Sequence, residues 1–237
     1  MIRKTEAIVL KTRKFQESSL LVTLFTKEYG KMNFIVQGIR SPKAMKKHSY
    51  FQPMSCIDVV MYFKETRDLQ KITESALNVF FNRLQSEQTR MALGIIGTEI
   101  FDIVIRENEP NYPLYNFFKD YLLQLENQPD RLIHQFLHFL VHLSFYAGFQ
   151  PRIEAKDKNA PLFFDVENGV LMNVSTGPNV DQSFFQLIES TWENCNQIQF
   201  SNASKKNSIQ LMLDFYRHHT ESFREPGSLK VFEDVFK

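Results

Sequence analysis

The sequence has little cysteine, because Cys56 and Cys195 are the only two among 237 residues. Two cysteines exclude a disulfide framework and a zinc site built from cysteine alone. Long apolar runs are also missing. No stretch approaches the roughly 20 residues of a membrane-spanning helix, and charged residues at positions 3, 4 and 6 interrupt the apolar region that a signal peptide needs. We therefore expect a cytoplasmic protein that does not act at a membrane.

Motifs of catalysis are missing as well, since there is no glycine-rich phosphate loop and no Gly-x-Ser-x-Gly turn. The one spacing typical of metal ligands is His134, His138 and His142, which recur every four residues along one side of a predicted helix. Because their neighbours are almost all apolar, we interpret them as the polar edge of a largely buried helix. The prediction is a protein that is not an enzyme and has no metal or cofactor. A His-dependent metalloenzyme is an alternative.

Charge is divided unevenly along the chain, although the net charge is only +1. Residues 1–80 hold 14 Lys and Arg against 7 Asp and Glu, a balance of +7, whereas the remaining 157 residues hold 14 against 20, a balance of −6. A basic module attracts polyanions by releasing their counterions, and an acidic one avoids them. The two parts of the chain are therefore expected to face different partners.

Five short segments of the basic part are rich in β-branched and aromatic residues, and several alternate with the period of two that is typical of strands. Gly30, in the sequence Glu28-Tyr29-Gly30-Lys31, predicts a tight hairpin with a left-handed glycine. The longest connection, 38–52, follows the third strand, where an oligonucleotide-binding (OB) barrel has an extra helix or long loop. These features predict a five-stranded OB-fold β-barrel over residues 1–78. The predicted strands are 6–15, 20–26, 31–37, 54–63 and 69–74.

From about Leu77 the apolar period changes to 3.6, which indicates helices. Pro113 is expected in the first turn of one helix, while Asp130 and Gly148 bound the next. Residues 150–178 are rich in Pro, Asn, Asp, Lys and Gly, and they predict an irregular, hairpin-like insertion without cysteine. The fold class is therefore α+β, with an α-helical domain over 79–237 behind the barrel.

Positive charge is densest in the long connection, where no acidic residue occurs between positions 38 and 50. Aromatic residues are interleaved with the cations of the basic part, and an aromatic surface in a basic groove stacks unpaired bases. We assign Phe34 and Phe63 to the barrel core instead. The pattern predicts a nucleic-acid-binding surface that consists of Lys11, Arg13, Lys31, Arg40, Lys43, Lys46 and Lys47.

Several short motifs of the N-terminal third occur in an informative order: 6–13 (EAIVLKTR), 17–18 (ES), 22–26 (VTLFT), 30–31 (GK), 38–40 (GIR) with Lys43, and 52–53 (QP). Weaker motif matches continue through the rest of the chain, at Gly148, Pro151, Gly169 and Leu229. In this order and at these spacings the chain resembles, over nearly its full length, the RecO family of bacterial recombination mediators. The resemblance implies an OB barrel joined to a helical domain that often carries a four-cysteine zinc module.

The resemblance also implies a function in DNA repair at the nucleoid. Family members bind single- and double-stranded DNA, displace single-strand-binding protein and anneal complementary strands. Together with the partner RecR they help to load RecA. An OB-type RNA-binding module is the alternative from the residues alone.

Two features concern the helical domain. Residues 150–178, where the family's cysteine pairs would lie, contain neither cysteine nor histidine, so zinc ligation is not carried over. If the shape of the module is kept, packing of Leu162, Phe163, Phe164 and Leu171 must replace the metal.

The tail of single-strand-binding protein is acidic and ends in an aromatic residue, so its receptor needs an apolar pocket with a cationic rim. We predict that Lys119 and Arg131 form this rim.

Overall fold

The computed structural model of the chain describes residues 1–39, 45–105, 109–157, 159–221 and 223–231, with the backbone alone at 45, 46, 230 and 231. The chain divides into two compact units, Met1–Glu126 and Asn127–Lys237. Within the described ranges, no helix has both the length and the apolar character that crossing a membrane requires.

The first unit contains a closed five-stranded barrel with the strand order β1-β2-β3-β5-β4. Most neighbouring strands are antiparallel, and a short parallel pairing of β3 with β5 completes the barrel. Alternate residues of each strand face inward and form a core that includes Val22, Phe34 and Val59. The prediction of an OB-type barrel is therefore confirmed. The strands are β1 (Ile2–Phe15), β2 (Ser19–Thr26), β3 (Gly30–Val36), β4 (Cys56–Tyr62) and β5 (Leu69–Leu77).

The turn chemistry predicted for the barrel is also confirmed. Gly30 begins β3 with φ +70°, in the left-handed region that glycine adopts without strain. The long connection after β3 contains a short helix, α1 (Met45–His48), and a 3-10 turn (Ser49–Phe51). Phe51, at the end of this turn, is buried in the barrel core.

Three helices follow the barrel within the first unit: α2 (Arg83–Ser86), α3 (Gln88–Val104) and α4 (Tyr112–Asn127). They cover part of the outer barrel surface, where the Phe25 ring lies 5.0 Å from Phe101 and 6.1 Å from Tyr115. The helices also pack closely on each other, because a Cβ at Gly97 would lie 2.5 Å from the Tyr121 ring. The barrel ends near residue 78, but the compact unit extends to Glu126 because these helices bury apolar surface against it.

The second unit is built on α5 (Leu132–Tyr146), α6 (Gln182–Ile188) and α7 (Asn202–His219), with α8 (Gly227–Val231) at its end. Gly148 follows the last turn of α5 with φ +86°, as a helix-ending glycine does. The expected start of α5 at Asp130 is displaced by one residue, because Arg131 is the N-cap and has a left-handed backbone with φ 53°.

The insertion at 150–178 is more regular than we expected. It forms a four-stranded sheet in the order β6-β8-β7-β9, which extends to Val180. Its strands have only two to four residues, too few for alternation to be visible in the sequence. Leu162, Phe164 and Leu171 are buried beneath it, while Phe163 is half-buried. The strands are β6 (Arg152–Ile153), β7 (Leu162–Asp165), β8 (Val170–Met172) and β9 (Asn179–Val180).

The hairpin glycine gives a test of this packing. A residue with a Cβ at position 30 would be strained at the φ of +70° that Gly30 adopts, and this Cβ would also lie 2.5 Å from the Glu109 backbone oxygen. Gly30→Ala is therefore expected to lower the free energy of unfolding by more than the roughly 1–2 kcal/mol that a left-handed alanine costs. Urea denaturation measures the loss.

The matched control is Gly38→Ala, since Gly38 has φ +67° and, among the described residues other than its chain neighbours, no atom lies within 4 Å of the added Cβ. It should show the conformational cost alone. Equal losses in the two variants would contradict the close contact between the hairpin and residue 109.

Candidate nucleic-acid interface

A groove crosses the outer surface of the barrel over β1, β2, β3 and the start of β5. Its volume is about 450 Å³. Strand register places Lys11 beside Thr23, Thr23 beside Asn33 and Asn33 beside Leu69, so one row of side chains runs across four strands. The groove is lined by Lys11, Arg13, Leu21, Thr23, Lys31, Asn33, Asp68, Leu69 and Asp102.

A second row runs parallel to the first. Arg13 pairs with Leu21, Leu21 with Ile35, and Ile35 with Lys71. Arg13 and Lys71 are exposed, whereas the two apolar side chains between them are half-buried. The surface therefore presents positive charge at both ends of a row with apolar side chains in its middle.

A β-bulge in β1 is responsible for the outward direction of these cations. Ala7 and Val9 face the core, and the register shifts between Val9 and Lys11. After the shift, Thr12 pairs with the core residue Val22, so the residues on either side of Thr12 face outward. Without the extra residue, Lys11 and Arg13 would point into the barrel.

Lys31 has a different environment from Lys11 and Arg13. Its ammonium lies 2.9 Å from the carboxylate of Asp102 and donates to the carbonyl oxygen of the same residue at 2.7 Å. Lys31 therefore connects β3 to the end of α3. In contrast, Lys11 and Arg13 are exposed and form no ion pair within the described part of the chain.

The remaining predicted cations lie in the long connection. Arg40 and Lys43 are outside the described residues, and of Lys46 only the backbone in α1 is described. Lys47, in the same helix, is exposed. The proposed contribution of this loop therefore stays a prediction.

The aromatic residues divide into core and surface. Phe34 is fully buried in the barrel, which confirms its assignment to the core, and Phe63 packs against the core with its ring 4.8 Å from Tyr29. Phe15 and Tyr62 are exposed on the outer surface. The buried and the exposed aromatic residues therefore differ in the direction in which their side chains leave the strand. Alternation in the sequence predicts this direction only when the pairing register of the strands is known.

The two predicted partner-binding cations belong to different compact units. The Lys119 ammonium lies 2.9 Å from the Glu6 carboxylate, which Lys27 also contacts at 2.7 Å. The hydrogen bonds from Lys27 and Lys119 hold the pKa of Glu6 below its ordinary value. Lys119 thus ties α4 to β1. Sequence patterns gave no signal for this pairing, because 113 residues separate the partners.

Arg131 precedes α5 in the second unit and is exposed. Its guanidinium donates to the carbonyl oxygen of Asn196, whose side chain accepts from Gln135 at 2.9 Å. Beside it, the ring of His134 lies 5.3 Å from that of Phe200. This end of α5 therefore combines an exposed cation with the half-buried ring of Phe200, which packs on the buried His134.

The three histidines of α5 do not converge on one point. Within the described ranges, no group of three His, Cys, Asp or Glu residues has the geometry of a metal site. The His138 ring lies 4.1 Å from His142 and 4.3 Å from Trp192, and its Nδ1 is 2.8 Å from the Ser190 hydroxyl. Burial lowers the pKa of His138 to about 2, with a smaller effect from His142. The pKa values of His134 and His142 are also lowered by burial.

Comparison with known proteins gives a consistent result over the chain. The family model described as Recombination protein O N terminal matches residues 1–80, and the one described as Recombination protein O C terminal matches 85–157. The DNA repair protein RecO of Flavobacterium johnsoniae is 28% identical over 98% of each chain, and that of Christiangramia forsetii is 27% identical over 100% of each. The protein of the same name from Chlorobium limicola is 31% identical over 65% of this chain and 59% of its own.

Among solved structures, the asparaginyl-tRNA synthetase of Entamoeba histolytica matches 68% of this chain and 37% of its own with a TM-score of 0.29 and 10% identity. A similarity this low carries no argument about fold or function.

The buried histidines predict how stability depends on pH. His138 stays neutral in the folded state, whereas a histidine of the unfolded chain takes up a proton near pH 6.5. Lowering the pH below 6.5 therefore favours unfolding, by up to about 1.4 kcal/mol per pH unit for this one residue. Urea denaturation between pH 7.5 and 5.5, followed by the fluorescence of Trp192, the only tryptophan, measures the effect.

The variant His138→Gln is expected to be less stable at pH 7.5 and to show a weaker decrease towards pH 5.5. The prediction is wrong if the parent protein is equally stable at both pH values, or if the variant retains the full slope.

Proposed function

The chain belongs to the RecO family, and from this premise we propose that it is a recombination mediator in DNA repair. Its barrel binds single- and double-stranded DNA. It anneals complementary strands, displaces single-strand-binding protein and, with RecR, helps to load RecA onto the DNA.

The observation that supports DNA binding is the pair of parallel rows on the barrel. Lys11 and Arg13 lie side by side on β1, and Lys71 lies at the far end of the second row. Neighbouring strands are about 4.8 Å apart, so the four residues from Arg13 to Lys71 span about 14 Å. Cations at this separation suit the phosphates of one strand that crosses the barrel, and OB barrels bind oligonucleotides on this kind of surface.

The same surface suits annealing because it contacts the backbone and leaves base edges accessible. Cations that neutralise phosphates reduce the repulsion between two strands without reading sequence. Short half-buried side chains such as Leu21 and Thr23 offer no bidentate hydrogen bonds that would compete with base pairing. Annealing needs no covalent step, so we propose no catalytic residue.

The other predicted cations have secondary roles in this proposal. The charge of Lys31 is balanced by Asp102, so a direct contact of Lys31 with phosphate would require it to leave that carboxylate. Arg40, Lys43, Lys46 and Lys47 belong to the connection after β3 and would extend the basic surface beyond the groove.

We place the receptor for the tail of single-strand-binding protein at the start of α5. Arg131 is exposed there, and the half-buried ring of Phe200, which packs on the buried His134, lies at the same end of the helix. Lys119 is a weaker candidate because its ammonium already contacts Glu6. An acidic peptide with a terminal aromatic residue fits a cation that lies next to an apolar ring.

The groove is tested by the double variant Lys11→Glu/Arg13→Glu. Affinity for single-stranded DNA should fall by at least tenfold. The slope of log affinity against log salt should decrease by about two units, since two phosphate contacts are lost. Annealing of complementary strands coated with single-strand-binding protein should slow in parallel.

The matched control is Lys156→Glu/Lys206→Glu, which makes the same change of charge at two exposed positions of the second unit. It should bind DNA as the parent does. If both double variants lose affinity equally, net charge and not the groove is responsible; if neither loses any, the proposed site is wrong. Preference for RNA over DNA of the same sequence would favour the RNA-binding alternative.

The tail receptor is tested by Arg131→Gln in the full chain. Loss of one exposed cation should weaken binding of a labelled acidic tail peptide roughly 2- to 5-fold, while DNA affinity stays unchanged. Fluorescence anisotropy measures both. The control Arg224→Gln removes an exposed cation elsewhere in the same unit. Equal peptide affinity in Arg131→Gln and the parent would contradict this placement.

A further inference from the structure

An exposed apolar patch continues the second row of the groove around the barrel. Lys71 pairs not only with Ile35 but also, on its other side, with Tyr62 of β4, and Tyr62 pairs with Ile2 of β1. The row from Arg13 therefore continues without a break through Lys71 to Tyr62 and Ile2. Five strand spacings of about 4.8 Å give this row a length of about 24 Å.

The patch exposes more apolar surface than the rest of the row. Tyr62 is 52% exposed and Ile2 is 62% exposed. Cross-strand partners have Cβ atoms only about 5 Å apart, so the two side chains form one continuous surface. β4 is paired on both sides, with β1 and β5, and the barrel therefore fixes the backbone position from which the Tyr62 side chain extends outward.

Cations lie on both sides of this patch. Lys71 is the direct neighbour of Tyr62 across the strands, and Lys4 is the next outward residue after Ile2 along β1. Both are exposed, and neither forms an ion pair within the part of the chain that the structure describes. An occupant that combines negative charge with a flat apolar surface is complementary to this arrangement.

From these contacts we propose that Tyr62 is a stacking platform for an unpaired base of single-stranded DNA, with Lys71 and Lys4 on the flanking phosphates. This inference rests on the proposed DNA binding and deepens it. A single strand that crosses the groove at Arg13 reaches Tyr62 along the same row. A duplex hides the faces of its bases inside the stack, so it gains nothing from the Tyr62 ring. Tyr62 therefore makes the barrel prefer single strands, whereas Lys11 and Arg13 serve both forms.

The test compares Tyr62→Leu with Tyr62→Phe in the full chain, on a single-stranded oligonucleotide and on a duplex of equal length. Leucine keeps an apolar side chain but has no aromatic face. Tyr62→Leu should weaken single-strand binding roughly 5- to 100-fold, the effect of losing one stacked base, and change duplex binding less than twofold. Tyr62→Phe should bind both forms like the parent.

Two further measurements separate stacking from a general structural effect. The salt slope should be unchanged in Tyr62→Leu, because stacking releases no counterions, but should fall by about one unit in Lys71→Gln. In Tyr62→Trp, single-stranded DNA should quench a new fluorescence signal above that of Trp192, and a duplex should not. Equal melting temperatures show that the variants fold.

The inference is overturned if Tyr62→Leu binds single strands like the parent, or if it weakens single-strand and duplex binding by the same factor. It is also overturned if the variant loses affinity for the acidic tail peptide alone, since the patch would then bind protein. None of these results affects the groove itself. That site is contradicted if Lys11→Glu/Arg13→Glu leaves DNA binding unchanged or weakens it no more than Lys156→Glu/Lys206→Glu does.

Discussion

The bulge in β1 is the constraint on which the rest of the first unit depends. Before it, the outward residue Ile8 is apolar and lies between Phe25 and Cys56, and all three are buried. After it, the outward residues Lys11 and Arg13 are charged and exposed. One extra residue thus lets a single strand hold a covered surface for α3 and α4 and an open surface with two exposed cations.

Two ion pairs join barrel strands to the helices that cover part of the barrel surface. Lys31 of β3 pairs with Asp102 of α3, and Lys119 of α4 pairs with Glu6 of β1. These pairs are half-buried, where a carboxylate and an ammonium are screened less than at the surface. The structure therefore uses some cations of the basic part for its own cohesion and leaves others for a ligand, a division that net charge does not reveal.

In the second unit, aromatic packing holds the small sheet of the insertion in place. The Phe164 ring contacts Phe184 and Phe215 at 5.3 Å each, so the small sheet is anchored on α6 and α7. A Cβ at Gly169 would lie 3.1 Å from the Phe215 ring, which shows how closely the sheet approaches α7. Leu162, Phe164 and Leu171 take the buried role that the sequence assigned to them.

The sequence by itself determined the barrel, the hairpin glycine, the helix end at Gly148, and the family, because alternation, turn residues and motif order are local properties. Only the tertiary structure decided which cations are available, since Lys31 and Lys119 find partners far along the chain. It also decided that Phe34 is buried while Tyr62 is exposed, and that 150–178 forms a sheet. Strand register, a bulge and contacts between distant residues set these features, and no local pattern encodes them.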